Sequence, residues 1–138
     1  GKDFILWFAK NYPDYEINVE TNGSKDIDEL IDFDNIIVTM DFKCPSSKMT
    51  EKMMMSNLKK LRSCDVLKFV VADNQDLRTV LDIMYNRTPT TKYIYLHPVF
   101  GSMDLKVLAE FVVNHDFLDM RIGLQIHKII WDPSTRGV

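Results

Sequence analysis

Apolar and polar positions follow two rhythms along this chain. Five short runs rich in β-branched and aromatic residues stand at 15–19, 36–40, 66–71, 92–96 and 122–126. Runs of four to eight such residues predict strands. Their starts lie 21 to 30 residues apart, which is close to the length of a βα repeat. The gaps carry a helical rhythm. Leu77, Val80, Leu81 and Met84 share one helix face, and Leu105, Leu108, Phe111 and Val112 form a second stripe. Ser102 is the expected N-cap of that second helix, with Asp104 in its first turn. Met54, Leu58 and Leu61 stripe a third helix starting near Thr50 and Glu51, and Phe4, Ile5 and Phe8 begin one that must end before Pro13. One turn of helix fits between the first two strands, near 26–31.

Alternation of this kind predicts an α/β fold, an open parallel sheet of about five strands with right-handed crossovers, in a single domain over 1–138. Five strands are too few to close an eight-stranded barrel. No repeat, low-complexity stretch or Gly/Pro/Ser-rich linker interrupts the pattern.

Composition narrows the class further. The 138 residues are 46% hydrophobic and 27% charged, with 17 Lys and Arg against 20 Asp and Glu. That is an ordinary globular composition, and a net charge of −3 argues against a general nucleic-acid binder. There is no apolar run of about 20 residues to span a membrane. The first residues lack the pattern of a signal peptide. Cys44 and Cys64 form neither a Cys-x-x-Cys pair nor a disulfide framework. The expectation is a soluble cytoplasmic protein with no membrane partner.

Ligands of parallel α/β sheets bind at the carboxyl ends of the strands. The expected strand ends here carry Glu20, Thr21 and Asn22, then Asp41 and Lys43, then His97, and finally Gln125 and His127. Carboxylates, a lysine, imidazoles and an amide on one rim make a candidate site for a polar small molecule. Plainer readings stand beside each. The Asn-Gly pair is also a turn signal, Asp41 and Lys43 also fit a solvated pair, His97 before Pro98 fits a structural role, and Gln125 and His127 fit a wet strand face. The methionines at 49, 53, 54 and 55 read as gap-filling side chains, and Cys44 as a bystander thiol. Lys68, inside an apolar strand, must point into the polar rim or pair with a carboxylate.

Four stretches together resemble a known family. They are Glu-Thr-Asn-Gly-Ser at 20–24, Val-Thr-Met-Asp-Phe-Lys-Cys-Pro-Ser-Ser at 38–47, Asp-Val-Leu-Lys-Phe-Val-Val at 65–71 and Gly-Leu-Gln-Ile-His-Lys-Ile-Ile-Trp at 123–131. In that order they resemble 7-carboxy-7-deazaguanine synthase, a radical S-adenosylmethionine (SAM) enzyme of the queuosine and archaeosine pathways. The first stretch is shared widely among radical SAM activases, whereas the last is far more specific. The resemblance implies the later part of a partial (β/α)6 barrel. It also implies conversion of 6-carboxy-5,6,7,8-tetrahydropterin to 7-carboxy-7-deazaguanine with SAM, a [4Fe-4S] cluster and Mg²⁺. Separately, the open edge of such a partial sheet invites pairing, and a homodimer is expected. By resemblance, Glu20, Asn22, Asp41 and Lys43 line the SAM pocket, Gln125 and His127 face the pterin, and His97 has a weaker claim there.

The chain also departs from the family. Members carry a Cys-x3-Cys-x2-Cys loop, or an expanded form, that holds the cluster, and a Gly-Gly-Glu-Pro stretch that meets the SAM amine. Neither is present in these 138 residues. The expectation is therefore a C-terminal portion, inactive by itself. The Asp-x-Lys form at 41–43 is closer to glycyl-radical activases, so a fragment of such an activase stays open. So does a cluster-free α/β binding module.

Overall fold

The computed structural model describes residues 1–137. A first helix, α1 (Lys2–Asn11), leads into five strands, β1 (Ile17–Thr21), β2 (Ile36–Lys43), β3 (Val66–Val71), β4 (Tyr93–Pro98) and β5 (Met120–Ile122). Helices α2 (Asp28–Ile31), α3 (Asn57–Lys60), α4 (Asn74–Asn86) and α5 (Leu105–Asn114) fill the gaps, and α6 (His127–Ile130) follows β5. All strand pairs are parallel, and the spatial order is β1-β2-β3-β4-β5. Each strand pairs with its sequence neighbour, as in a partial α/β barrel.

The alternation within the strands separates two faces. Ile36, Val38, Met40 and Phe42 on β2, Leu67, Phe69 and Val71 on β3, and Ile94 and Leu96 on β4 are buried. They form one core with the helical residues Ile27, Leu30, Leu58, Val80, Ile83 and Leu108. The opposite face is covered far less: Ile37, Asp41, Lys43, Lys68, Val70, Tyr95, His97 and Arg121 are only half-buried. Parallel sheets normally bury both faces. Here the helices lie on one side, and the polar side chains take the other.

One buried ion pair ties down the amino end of β3. The Asp65 carboxylate accepts from the Val38 and Arg62 backbone amides at 2.9 and 2.7 Å and from the Arg62 guanidinium at 2.9 and 3.0 Å. Arg62 also donates to the carbonyls of Ile31, Phe33 and Ile36. One arginine thus joins the segment before β2 to the turn before β3.

Several element boundaries differ from the sequence-based expectation. β1 runs two residues later, because Tyr15 is held by the Asn35 amide at 3.1 Å and the ladder opens with Ile17 N–H on the Asn35 carbonyl at 2.8 Å. The striped third helix is instead a 3₁₀ turn at Thr50–Lys52 followed by the short α3. Met53 interrupts it: its sulfur accepts the Lys43 amide at 3.0 Å, and the next amide, Met54 N–H, donates to the Gly23 carbonyl at 2.9 Å. Long-range contacts override the local stripe. The N-cap of α5 is Asp104, which accepts from Lys106 and Val107, rather than Ser102. β5 is only Met120–Ile122 and does not reach Ile126. Gly123 N–H makes a last bond to the Leu96 carbonyl at 2.9 Å, after which the Gln125 and Ile126 carbonyls accept from Lys128 to Ile130 and the chain turns into α6. Among the described residues no helix is long and apolar enough to cross a membrane.

Candidate functional site

Strand register sets the site out in rows across the half-open face. Asp41, Lys68, Tyr95 and Arg121 stand opposite one another on β2, β3, β4 and β5. One step nearer the carboxyl ends, Lys43, Val70 and His97 form the next row. Glu20 sits beside Thr39 on β1. Lys68 lies at the centre and meets both alternatives expected of it. It points to the polar face, and its Nζ pairs with Glu20 at 3.1 Å and with Asp41 at 3.9 Å. Asp41 in turn lies 3.7 Å from the Lys43 ammonium.

Asn22, Lys43, Asp41, His97 and Gln125 divide between two depressions, and Glu20 and His127 line neither. The first, of about 130 Å³, is lined by Asn22, Ser24, Lys43, Lys52 and the methionines at 49 and 53. Its rim is the turn after β1. Asn22 Oδ1 accepts from the Ser24 amide at 3.1 Å and from the Ser24 hydroxyl at 2.7 Å. Gly23 has φ +69°, a left-handed conformation that favours glycine. The Gly23 carbonyl also accepts from the buried Asn57 side chain at 3.2 Å, and Asn57 donates to the Lys25 carbonyl at 2.7 Å. Glu20 and Thr21 end β1, and the Asn22–Ser24 turn that follows is anchored from beneath.

The second depression is a cleft of about 240 Å³ between the carboxyl ends of β3 and β4 and the segment after β5. Asp41, Lys68, Val70, His97, Phe100, Gln125 and Lys128 are among its walls. Asp41 therefore faces His97 and Gln125 rather than the Asn22 pocket. Gln125 and His127 do not share a strand face, because the first lies in a loop and the second opens α6. Gln125 lines the cleft, and the neighbouring cation that does so is Lys128. The pKa of His97 is lowered, first because burial disfavours its charge and then because Lys68 is near, with Asp41 opposing weakly. Both causes favour the neutral ring.

The cysteines are placed apart. Cys44 follows β2 at the carboxyl end and is fully buried, and burial, with Asp76 and Asp73 nearby, pushes its thiol up to about 12. Cys64 precedes β3 at the amino end, exposed, in a shallow depression with Asn18, Ile37, Lys92 and Tyr93. By register Cys64 lies level with Ile37, so the two thiols sit about seven strand positions apart, roughly 23 Å at about 3.3 Å per residue. No group of three or more His, Cys, Asp or Glu among the described residues could hold a metal ion.

Comparison with known proteins finds relatives of this chain. The chain is 40% identical over 125 residues to the 7-carboxy-7-deazaguanine synthase of Clostridium acetobutylicum, covering 88% of this chain and 56% of that protein. It is 36% identical over 128 residues to the synthase of Thermoplasma acidophilum, covering 91% and 60% respectively. The chain is a homologue of the 7-carboxy-7-deazaguanine synthases. It is also 34% identical over 117 residues to the synthase of Methanospirillum hungatei. The chain spans about half the length of the curated synthases it matches. No family model and no solved structure matches it.

Two side chains of this site were missed or left undecided by sequence reasoning. Lys128 was passed over because it follows the more conspicuous His127, and only the turn into α6 brings it to the cleft. The charge of Lys68 inside an apolar strand was the readable signal for its place, but its partners depended on strand register.

Proposed function

We propose that this chain forms the SAM-binding and substrate-binding side of a cytoplasmic 7-carboxy-7-deazaguanine synthase, a radical SAM enzyme acting on 6-carboxy-5,6,7,8-tetrahydropterin. The observation that carries the reading is the pairing of two depressions at the carboxyl ends of the strands in a homologue of those synthases. In the first, Lys43 and Lys52 offer ammonium groups to the SAM carboxylate, and Asn22 and Ser24 form the polar rim. Glu20 acts from beside it, holding Lys68. In the second, Gln125 presents an amide suited to the donor and acceptor edge of a pterin, and the neutral His97 adds a directional hydrogen bond. Asp41, a wall of this cleft, balances Lys68 and Lys43. Lys128, rather than His127, takes the pterin carboxylate.

The implied [4Fe-4S] cluster does not fit these residues. A buried thiol with a pKa of about 12 and an exposed one at the other end of the sheet are no ligand set for a [4Fe-4S] cluster. This chain's part is to bind, orient and neutralise charge.

Calorimetric titration with SAM and with pterin-6-carboxylate tests the division. Lys43→Ala is expected to weaken SAM, and Lys128→Ala to weaken the pterin. A lost charged hydrogen bond of about 1.5–3 kcal/mol corresponds to a roughly ten- to hundredfold weaker Kd. His127→Ala is expected to change pterin affinity far less than Lys128→Ala. If His127 carried the loss and Lys128 none, the assignment of the carboxylate would be wrong.

A further inference from the structure

The close packing of His97 points to a residue that no family role assigns. We infer that Gly123 is the positioning residue of the cleft: its missing side chain is the space that the His97 imidazole occupies, so the glycine sets the direction of the ring. A Cβ built at Gly123 would lie 2.4 Å from His97 Cε1 and 2.4 Å from Nε2. Real carbon contacts are not that short. The glycine is not there for backbone reasons, because its φ lies outside the left-handed region and its amide makes an ordinary 2.9 Å ladder bond to the Leu96 carbonyl. An alanine could adopt that backbone, so what must give way is the ring.

The surroundings decide where it goes. The ring centroids of His97 and Tyr95 are 6.2 Å apart on one strand face. Beyond lies the cleft, with Lys68, Gln125 and Lys128. A methyl group at 123 pushes the imidazole off the β5 backbone and into that space. The ring then loses burial and occupies room meant for a ligand. The inference rests on the proposed function only for the identity of that ligand.

The test is carried out on this chain without ligand. Ring-proton NMR titration follows the three imidazoles, His97, His115 and His127, assigned by single His→Gln variants. In Gly123→Ala the His97 titration is expected to move, because the ring leaves its buried seat and comes nearer Lys68 and Lys128. His115 and His127 should stay where they are. A folded Gly123→Ala whose His97 titrates unchanged overturns the inference. Stability gives a second reading. Gly123→Ala is expected to raise the unfolding constant by roughly 5- to 30-fold, and most of that rise should vanish when His97 is also replaced by Ala. If Gly123→Ala does not fold, Gly123→Ala with His97→Ala should. An equal penalty with and without the ring, or failure of both variants to fold, means that the glycine serves the backbone instead. Neither readout involves SAM or pterin, so the ligand assignment stands or falls separately.

Discussion

The polar residues of this chain divide by what they touch. Asp65 is buried but accepts two amide and two guanidinium hydrogen bonds, and it belongs to the scaffold. Burial alone would raise its pKa, yet the hydrogen bonds from Arg62 and from the Val38 and Arg62 amides outweigh that and lower it. Asp76 is another scaffold carboxylate, accepting from the Ser46 amide and hydroxyl and from the Ala72 amide. His97 differs in having its ring on the cleft and a lowered pKa. The sign of the consequence is definite. As pH falls through about 6.5, an unfolded imidazole gains its proton while the folded one stays neutral. The unfolded state then binds more protons, so this contribution to stability is whole above about 6.5 and declines as pH falls toward the folded pKa. Urea unfolding between about pH 7 and 5 should show this decline, and His97→Gln should flatten it. An equal slope in both proteins would mean that His97 is not held neutral by the fold.

Elements matter here mainly for where they stop. β2 runs on to Lys43, three residues past the expected end, and so carries both Asp41 and Lys43 as strand residues of one face. β5 ends early, which frees Gln125 to enter the cleft from a loop. The turn after β1 depends on Gly23, where an added Cβ would lie 2.9 Å from Met53 Cε and 3.0 Å from Met40 Sδ. Gly23→Ala combines that crowding with a left-handed conformation that costs an L-residue about 1–2 kcal/mol. Chemical denaturation should register a loss of at least that size. SAM affinity should fall with it, since Asn22 and Ser24 hang on the same turn. A variant as stable as the parent would show that the turn is free to reorganise.

At the scale of the molecule, one sheet edge with apolar side chains beside it remains unpartnered among the described residues. β1 pairs only with β2, so its outer edge is free, and Phe4, Trp7 and Tyr15 near it are 63%, 53% and 62% exposed. An unpaired edge beside apolar side chains promotes association. Light scattering is expected to find a dimer or larger species of this chain. A monodisperse monomer at high concentration would remove the case for pairing at that edge.

Much of the architecture was legible from local pattern. The five strands, the α4 and α5 stripes and the helix before Pro13 follow from periodicity, because hydrophobic period and proline stereochemistry act within a few residues. The strand-end positions of Glu20, Asp41, Lys43 and His97 were legible too, since they need only the strand positions. What local pattern could not decide was settled by contacts far apart in sequence. Met53 reaching Lys43 and Gly23 broke a helix whose stripe was intact. The alternation of Leu124, Gln125, Ile126 and His127 imitated a strand, but only the first residue beyond Ile122 makes a bond to β4, and the chain then turns to bring Lys128 to the cleft. The partners of Lys68 and the seat of His97 against Gly123 depend on how neighbouring strands align and how closely their backbones approach. Sequence alone determined which residues alternate; the tertiary structure decided which of them meet, because register and close approach are set between segments and not within them.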